Sequence, residues 1–207
     1  MALRTAPSGT RLEPMTGTTS EPQLRKDAQR NREAILAAAR ELFADCADVP
    51  MYEVARRAGV GQATLYRNFP DRRNLAAALL VEHMESIERL AAAHADDPDA
   101  FFVLLRNVVE TMARFYPLGE LAREDACLGS ELDRRRRGLA ELMKDPLRDA
   151  KRAGTVRRDL TVDDVFLVLS MVRGAVDTAD DRAGRAAAAA RALALVLDGI
   201  TPSRPDA

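Results

Sequence analysis

The sequence contains very few aromatic residues, cysteines and histidines. Among its 207 residues there is no tryptophan, only 4% are aromatic, and there are two cysteines and two histidines. Cys46 and Cys127 lie far apart and fit no C-x-x-C pattern, which argues against a disulfide framework or a thiolate metal site. His83 and His94 would lie about 16 Å apart along a helix, too far to share one ion. We therefore predict no metal and no cofactor.

Long apolar runs and catalytic motifs are also missing. No stretch is long enough to cross a bilayer, and the N-terminus lacks the apolar core of a secretion signal, so we expect a soluble, cytoplasmic protein without a membrane partner. The sequence shows no nucleophile elbow, no ordered Ser/His/Asp set and no phosphate-cradling Gly-rich loop. We predict that it is not an enzyme and has no catalytic residues.

The residues that are abundant favour helix. Hydrophobic residues make up 47% of the chain, and much of that share is Ala and Leu. Both are strong helix formers, whereas the β-branched and aromatic residues typical of strands are fewer. The predicted fold class is all-α, and 207 residues suffice for a full core in one large domain or two small ones.

The charge of the chain is nearly balanced overall but not locally. The formal net charge is -1, so any affinity for nucleic acid has to come from a local patch. Residues 25–73 hold ten Lys and Arg against seven Asp and Glu. This segment is a candidate basic patch.

Two short helices with a tight turn are predicted inside that patch. The helix Met51–Ala58 has one apolar face, and Gly59 follows where a left-handed residue ends a helix at least cost. A second helix, Gln62–Asn68, buries Leu65 and then Phe69 on one side. The short turn between them holds the second helix against the first.

The outer side of the second helix carries side chains that suit the major groove of DNA. Gln62 can pair with an adenine edge, Ala63 can contact a thymine methyl group, and both Thr64 and Tyr66 can reach phosphates. A helical hairpin that only packs is the alternative interpretation.

The sequence of the helical hairpin and of the residues that follow it resembles that of a known family. The run VARRAGVGQATLYRNFPDRRNL resembles the helix-turn-helix of the TetR family of bacterial transcriptional regulators, with the pattern IA-x-x-AGVS-x-GTLY-x-HF-x-x-K-x-x-L. The match extends from about Arg32 to Leu80 and departs at Pro50, Ala63 and Asn68, where Ser or Thr, Gly and His are common. The resemblance implies an N-terminal three-helix DNA-binding domain and a C-terminal helical domain for ligand binding and dimerisation.

The resemblance also assigns Arg72, in the first turn of the next helix, to the family's phosphate-contacting position. A cation there opposes the helix dipole, which a nearby phosphate would explain. The predicted DNA-binding residues are Gln62, Ala63, Thr64, Tyr66, Arg67, Asn68 and Arg72.

Domain boundaries follow from these assignments. We predict a disordered tail at 1–24, a DNA-binding domain at 25–73, a regulatory domain at 74–201 and a disordered tail at 202–207. The predicted helices outside the hairpin are Asp27–Asp45, Asn74–Ala93, Phe101–Tyr116, Glu131–Ala153 with an interruption at Pro146, Val162–Asp177 and Arg182–Ile200, with Pro117–Ser130 irregular or in short helices.

The segment Phe101–Tyr116 is the most apolar predicted helix, and its apolar face has two interpretations. It lines a small-molecule pocket or it is plain core, and periodicity alone does not separate the two. The arginine run 134–137 likewise could hold an anionic ligand or form a solvated face. The candidate ligand-binding residues are Phe102, Leu105, Val109, Met112, Tyr116, Met143 and Phe166.

The last two helices carry apolar stripes and many small residues. The resemblance implies that they form a four-helix bundle with a second copy, and the alternative is an intramolecular hairpin on the central helix. The candidate interface residues are Val165, Leu169, Val172, Val176, Ala190, Leu193 and Leu197.

These observations predict a homodimeric transcriptional repressor that binds a pseudo-palindromic double-stranded DNA operator and is released by a small-molecule effector. The rival interpretation is an all-helical ligand carrier or small enzyme whose N-terminal hairpin is structural.

Overall fold

The computed structural model describes residues 21–46 and 48–201, and within these ranges the chain forms nine helices and no strand. The predicted all-α fold is confirmed. The helices are α1 (Glu21–Phe43), α2 (Met51–Ala58), α3 (Gln62–Asn68), α4 (Arg72–Ala93), α5 (Ala100–Arg114), α6 (Tyr116–Glu124), α7 (Ala126–Ala153), α8 (Val162–Val176) and α9 (Arg182–Ile200).

A small hydrophobic core holds the first three helices together. Ile35 and Phe43 of α1, Val54 of α2 and Leu65 of α3 are all fully buried in it. Truncating a residue such as Leu65 to alanine would cost about 2 to 5 kcal/mol. The same core continues into the first half of α4 through Leu75 and Leu79. It is closed by Leu118 and Ala122 of α6 and by Leu128 at the start of α7.

A second core surrounds α5, which is the central helix of the C-terminal half. Phe101 and Leu104 of α5 are fully buried, and α9 packs on α5 and α8. Ile87, in the second half of α4, also belongs to this core. Helix α4 therefore contributes to both cores and joins the two halves of the molecule.

Several predicted boundaries differ from the structure. Helix α1 begins at Glu21, so residues 21–24 are helical, whereas the rest of the predicted tail at 1–20 and the tail at 202–207 lie outside the described residues. Helix α7 begins at Ala126 and continues through Pro146 without the expected break. Buried Met143, Leu147 and Ala150 flank Pro146. Packing of this face offsets the backbone hydrogen bond that proline removes.

The segment predicted as irregular or in short helices at Pro117–Ser130 is mostly helical as well. It contains most of α6 and the first turn of α7, and Pro117 lies in the opening turn of α6, where a missing backbone N–H costs little. At the start of α8, Thr161 and Asp164 form the predicted capping box.

One buried arginine connects the C-terminal helix to the DNA-binding half. Arg185 of α9 is 6% exposed, and its Nη2 donates to the carbonyl oxygen of Ala44, just past the end of α1, at 3.1 Å. This contact satisfies one of the carbonyls that a helix leaves free at its C-terminus. No helix in the described ranges is long and apolar enough to cross a membrane.

Candidate nucleic-acid interface and cavity

Helix α3 is anchored on one side and open on the other. Leu65 is fully buried, and Phe69, which caps the C-terminus of the helix, is 2% exposed. Gln62, Ala63 and Tyr66 face solvent, with Tyr66 47% exposed. An exposed tyrosine beside a glutamine and a small residue gives this face the hydrogen-bonding and contact groups that base edges and phosphates accept.

The turn before α3 depends on Gly59. Its φ of 68° and ψ of 25° are left-handed, and the backbone N–H of Val60 donates to the Ala55 carbonyl at 3.1 Å, as in a glycine-capped helix end. A side chain would strain this conformation. The left-handed backbone of Gly59 therefore ends α2 and starts the turn that leads into α3.

Three more of the predicted DNA-binding residues are tied together by hydrogen bonds. The Arg67 Nε donates to the Ala63 carbonyl at 3.2 Å and its Nη2 donates to Thr64 Oγ1 at 3.1 Å. Asn68 Nδ2 donates to the Thr64 carbonyl at 2.8 Å. These contacts hold Arg67 and Asn68 along the surface of α3, so their charge and amide lie beside the exposed face.

The predicted phosphate contact, Arg72, is paired with a carboxylate. Its Nη1 forms a salt bridge with Asp48, and the Asp48 side chain is 88% exposed. Asp71 caps α4 by accepting from the backbone N–H of Asn74 at 2.8 Å, and this bond lowers the pKa of Asp71. Asp48 and Asp71 together offset the arginine charge at this helix start.

A cavity of about 760 Å³ lies in the C-terminal half, between α4, α5, α6, α7 and α8. Of the predicted ligand-binding residues, Met112, Tyr116 and Phe166 line it. Phe102 instead lines a separate recess of about 550 Å³. The other three, Leu105, Val109 and Met143, are each 1% exposed and lie in the core outside both linings.

The wall of the cavity contains charged groups as well as apolar ones. Arg40 of α1 and Glu82 of α4 form a bidentate salt bridge, with N–O distances of 3.1 and 3.0 Å. Glu120 accepts from Arg173 at 2.9 Å and also pairs with Arg123. Bidentate and shared carboxylate pairs of this kind hold arginine side chains in fixed positions.

Two further polar residues of the wall have pKa values shifted from those of the free side chains. Burial, and secondarily the charge of Arg135, lowers the pKa of His83 to about 4, so the imidazole is neutral near pH 7. The hydroxyl of Tyr116 donates to Asp177, and this hydrogen bond raises the pKa of Tyr116.

Most of the residues predicted for the dimer interface lie in or against the chain's own core rather than on the exposed face of the C-terminal helices. Val165, Val172, Val176 and Leu193 are buried in the chain's own core. Leu169 and Leu197 are partly buried against that core, and Ala190 is exposed. The exposed large hydrophobic side chains of α8 and α9 are Leu167, Met171 and Leu195, which are 61%, 57% and 55% exposed.

Two family models match this chain. One describes bacterial regulatory proteins of the TetR family and covers residues 35–79, which span the end of α1, all of α2 and α3, and the start of α4. The other describes an SbtR-like transcriptional regulator C-terminal domain and covers residues 96–202, about half of the chain. This chain belongs to the TetR family.

Relatives with the TetR architecture agree with this assignment. An uncharacterized HTH-type transcriptional regulator of Mycobacterium bovis is 30% identical over 161 residues, which cover 73% of this chain and 82% of the relative. The repressor LfrR of Mycolicibacterium smegmatis is 34% identical over 91 residues, or 44% of this chain and 48% of LfrR. A TetR crystal structure from Mycobacterium vanbaalenii matches with a TM-score of 0.64 and 31% identity, covering 86% and 99% of the two chains.

The TetR assignment makes the protein a DNA-binding transcriptional regulator with α2 and α3 as its helix-turn-helix. Sequence reasoning did not predict the partnership of Asp48 with Arg72 or the place of His83 in the cavity wall. It left open whether the arginine run 134–137, which includes Arg135, holds an anion or forms a solvated face. The sequence contains a signal for His83 and Arg135, because each occupies a position in a helical stripe whose other members are apolar. His83, for example, lies between Leu79 and Ile87. Among the described residues, no cluster of three or more His, Cys, Asp or Glu could hold a metal ion.

Proposed function

We propose that this TetR-family regulator represses transcription as a homodimer, with α3 of each copy in the major groove of one half-site of a pseudo-palindromic operator. The observation that carries the proposal is the outer face of α3, where Gln62, Ala63 and Tyr66 are exposed on a helix whose opposite face is buried. The relative named LfrR is a repressor, which supports repression as the direction of control.

Within α3, Gln62 reads a base edge and Ala63 contacts a thymine methyl, while Thr64, Tyr66, Arg67 and Asn68 contact the backbone or flanking bases. Arg72 exchanges its salt bridge with Asp48 for a DNA phosphate. Because the Asp48 side chain is 88% exposed, breaking that pair costs little.

The dimer forms through the outer faces of α8 and α9. Leu167, Met171 and Leu195 are among the most exposed large apolar side chains of the described residues, and they lie on these two neighbouring helices. Exposed Ala187, Ala190 and Ala194 on α9 allow another helix to approach closely. Exposed apolar faces of this kind mark association surfaces, and two half-sites require two copies.

The cavity is the site of the small-molecule effector. Leu79, Leu80, His83 and Ile87 of α4 lie in its wall, and Arg72 lies in the first turn of the same helix. A ligand that fits the cavity better in one orientation of α4 shifts the protein toward that state and away from the operator. The proposal places the protein in the cytoplasm with the DNA and assigns it no catalytic role.

A footprint on the intergenic DNA beside the protein's own gene tests this function. We expect protection of a pseudo-palindromic site, and we expect loss of protection when a ligand of the cavity is added. Coding-region DNA of equal length is the control. Equal affinity for the two DNAs would contradict the proposal.

A further inference from the structure

The cavity has more basic groups than acidic ones in its wall. Among the described residues that line it there are seven arginines but only three carboxylates, those of Glu82, Glu120 and Asp133. An excess of cations inside a partly enclosed, low-dielectric space attracts anions more strongly than the same charges on an open surface. An anion would bind to an arginine whose charge is not already paired within the protein.

Most of these arginines already have a partner. Arg40 is paired with Glu82, and Glu120 is shared by Arg123 and Arg173. Two others stack on aromatic rings, which satisfies part of their charge. Arg114 lies 5.6 Å from the ring centre of Phe115, and Arg136 lies 4.8 Å from that of Phe166.

Arg135 differs from these residues. Its Nε is buried and has no hydrogen-bond partner among the described residues. The carboxylate of Glu131, one turn earlier on α7, pairs with Arg134 instead. A buried N–H without an acceptor is costly, because it has lost its water and gained no hydrogen bond in return.

The surroundings of Arg135 shift its own pKa and that of its neighbour His83. Burial lowers the pKa of its guanidinium to about 10, while the charge of Glu131 acts in the opposite direction. The neighbouring His83 stays neutral near pH 7, since burial and the charge of Arg135 lower its pKa to about 4. Around Arg135 the cavity wall therefore presents a cation beside an uncharged imidazole.

Apolar side chains lie in the wall alongside these charged groups. Side chains from α4, α5, α7 and α8 meet there, and a cavity of about 760 Å³ is within the size range of drug-like ligand sites. The apolar residues that matter here are Met84, Ile87, Val108, Met112, Leu139 and Phe166.

We propose that the effector is an amphipathic organic anion, with a carboxylate or phosphate head that pairs with Arg135 and an apolar body that packs against the α4, α5 and α8 side of the cavity. This inference rests on the proposed function, of which it names the ligand class. A cation would add to an existing excess of positive charge, and a neutral molecule would bring no counter-charge to Arg135.

Titration calorimetry with four ligands that share a decyl chain tests the proposal on the full-length protein. Decanoate and decyl phosphate carry the anionic heads, decanol is the neutral control and decylammonium is the cationic control. A charge-assisted pair should give the anions an advantage of about ten- to a hundredfold over decanol. The stronger of the two anions identifies the head as carboxylate or phosphate.

The variant Arg135→Met keeps much of the apolar stem and removes the charge. We expect it to lose the advantage of the anions and to bind decanol as the wild type does. Arg137→Met, at an exposed neighbouring position on α7, is the matched control and should bind all four ligands like the wild type. Arg135→Lys keeps a charge and provides a second test, with intermediate anion affinity expected.

Three results would overturn the proposal. They are equal affinity of the wild type for all four head groups, an unchanged preference for anions in Arg135→Met, and an equal loss in Arg137→Met. Operator binding is measured on the same preparations without ligand. Intact operator binding with no preference for anions would refute the ligand class alone, whereas absent operator binding would refute the proposed function.

Discussion

At the scale of single residues, His83 is an ionisable side chain in an apolar stripe of α4. It lies one turn from Leu79 on one side and from Ile87 on the other, and burial is the main cause of its low pKa. Arg135 is the nearby charge that also disfavours its protonation. The same pattern recurs at Arg185, which stands one turn before buried Ala189 on α9.

This placement of His83 predicts a pH-dependent stability. In the unfolded chain its pKa is near 6.5 and in the folded protein about 4, so between these values the unfolded state binds a proton that the folded state does not. The free energy of unfolding should therefore fall as the pH drops through this window. The contribution of His83 between about pH 7 and pH 4.5 should be about 2 to 3 kcal/mol.

Urea unfolding of the wild type and of His83→Gln at both pH values measures that contribution. The glutamine variant should lose less stability than the wild type on acidification, because its side chain does not titrate. The same loss in both proteins would show that His83 is not the residue responsible.

At the scale of helices, local signals located some elements well and others poorly. The bounds of α2, α3 and α9 are those predicted, because Gly59 ends α2 and Asp181 caps α9 by accepting from Gly184 at 2.7 Å. Helix α7 was predicted to break at Pro146. Its buried face continues on both sides of the proline, and this long-range packing is absent from any local pattern.

Periodicity identified apolar stripes but not what they contact. Val172, Val176 and Leu193 form regular stripes, and these pack inside the monomer. For the same reason Leu105 and Val109 were candidates for the pocket although they lie in the core. A stripe shows that a face is buried, but it does not distinguish core, cavity or partner.

The dimer proposal leads to a prediction about α8. The variant Met171→Glu places a charge on the exposed face of α8 and α9, so dimerisation would bury an unpaired ion there. We expect sedimentation to show a monomer that remains fully helical. Leu193→Glu is unsuitable for this test, because Leu193 is 4% exposed in the core and the substitution would unfold the chain.

Val81→Glu is the matched control for Met171→Glu. Val81 is 44% exposed on α4, away from the proposed interface, and its variant should sediment as the wild type does. A Met171→Glu protein that stays dimeric would rule out this face, and a monomeric wild type would rule out the dimer.

At the scale of the whole molecule, two salt bridges join the DNA-binding half to the C-terminal half, and one of them lies in the cavity wall. Arg40 of α1 pairs with Glu82 in the cavity wall. Arg73, next to the proposed phosphate contact, forms a salt bridge from its Nε to Oδ2 of Asp125 at the end of α6, at 2.7 Å. Under the proposed function, these pairs and the continuous α4 are the route by which a movement of the cavity wall would reach Arg72. Sequence patterns predicted the two halves but not these contacts, since each pairs residues that are distant along the chain.

The central claim is that α3 reads DNA sequence while Arg72 contacts phosphate. Fluorescence anisotropy of the operator, measured over a range of salt concentrations with wild type, Gln62→Ala and Arg72→Ala, tests it most directly. Gln62→Ala should cost about 1 to 3 kcal/mol on the operator with little change in salt slope. Arg72→Ala should weaken operator and control DNA alike and reduce the slope by about one per half-site. Unchanged affinity and salt slope in both variants, with wild-type helicity, would contradict the account.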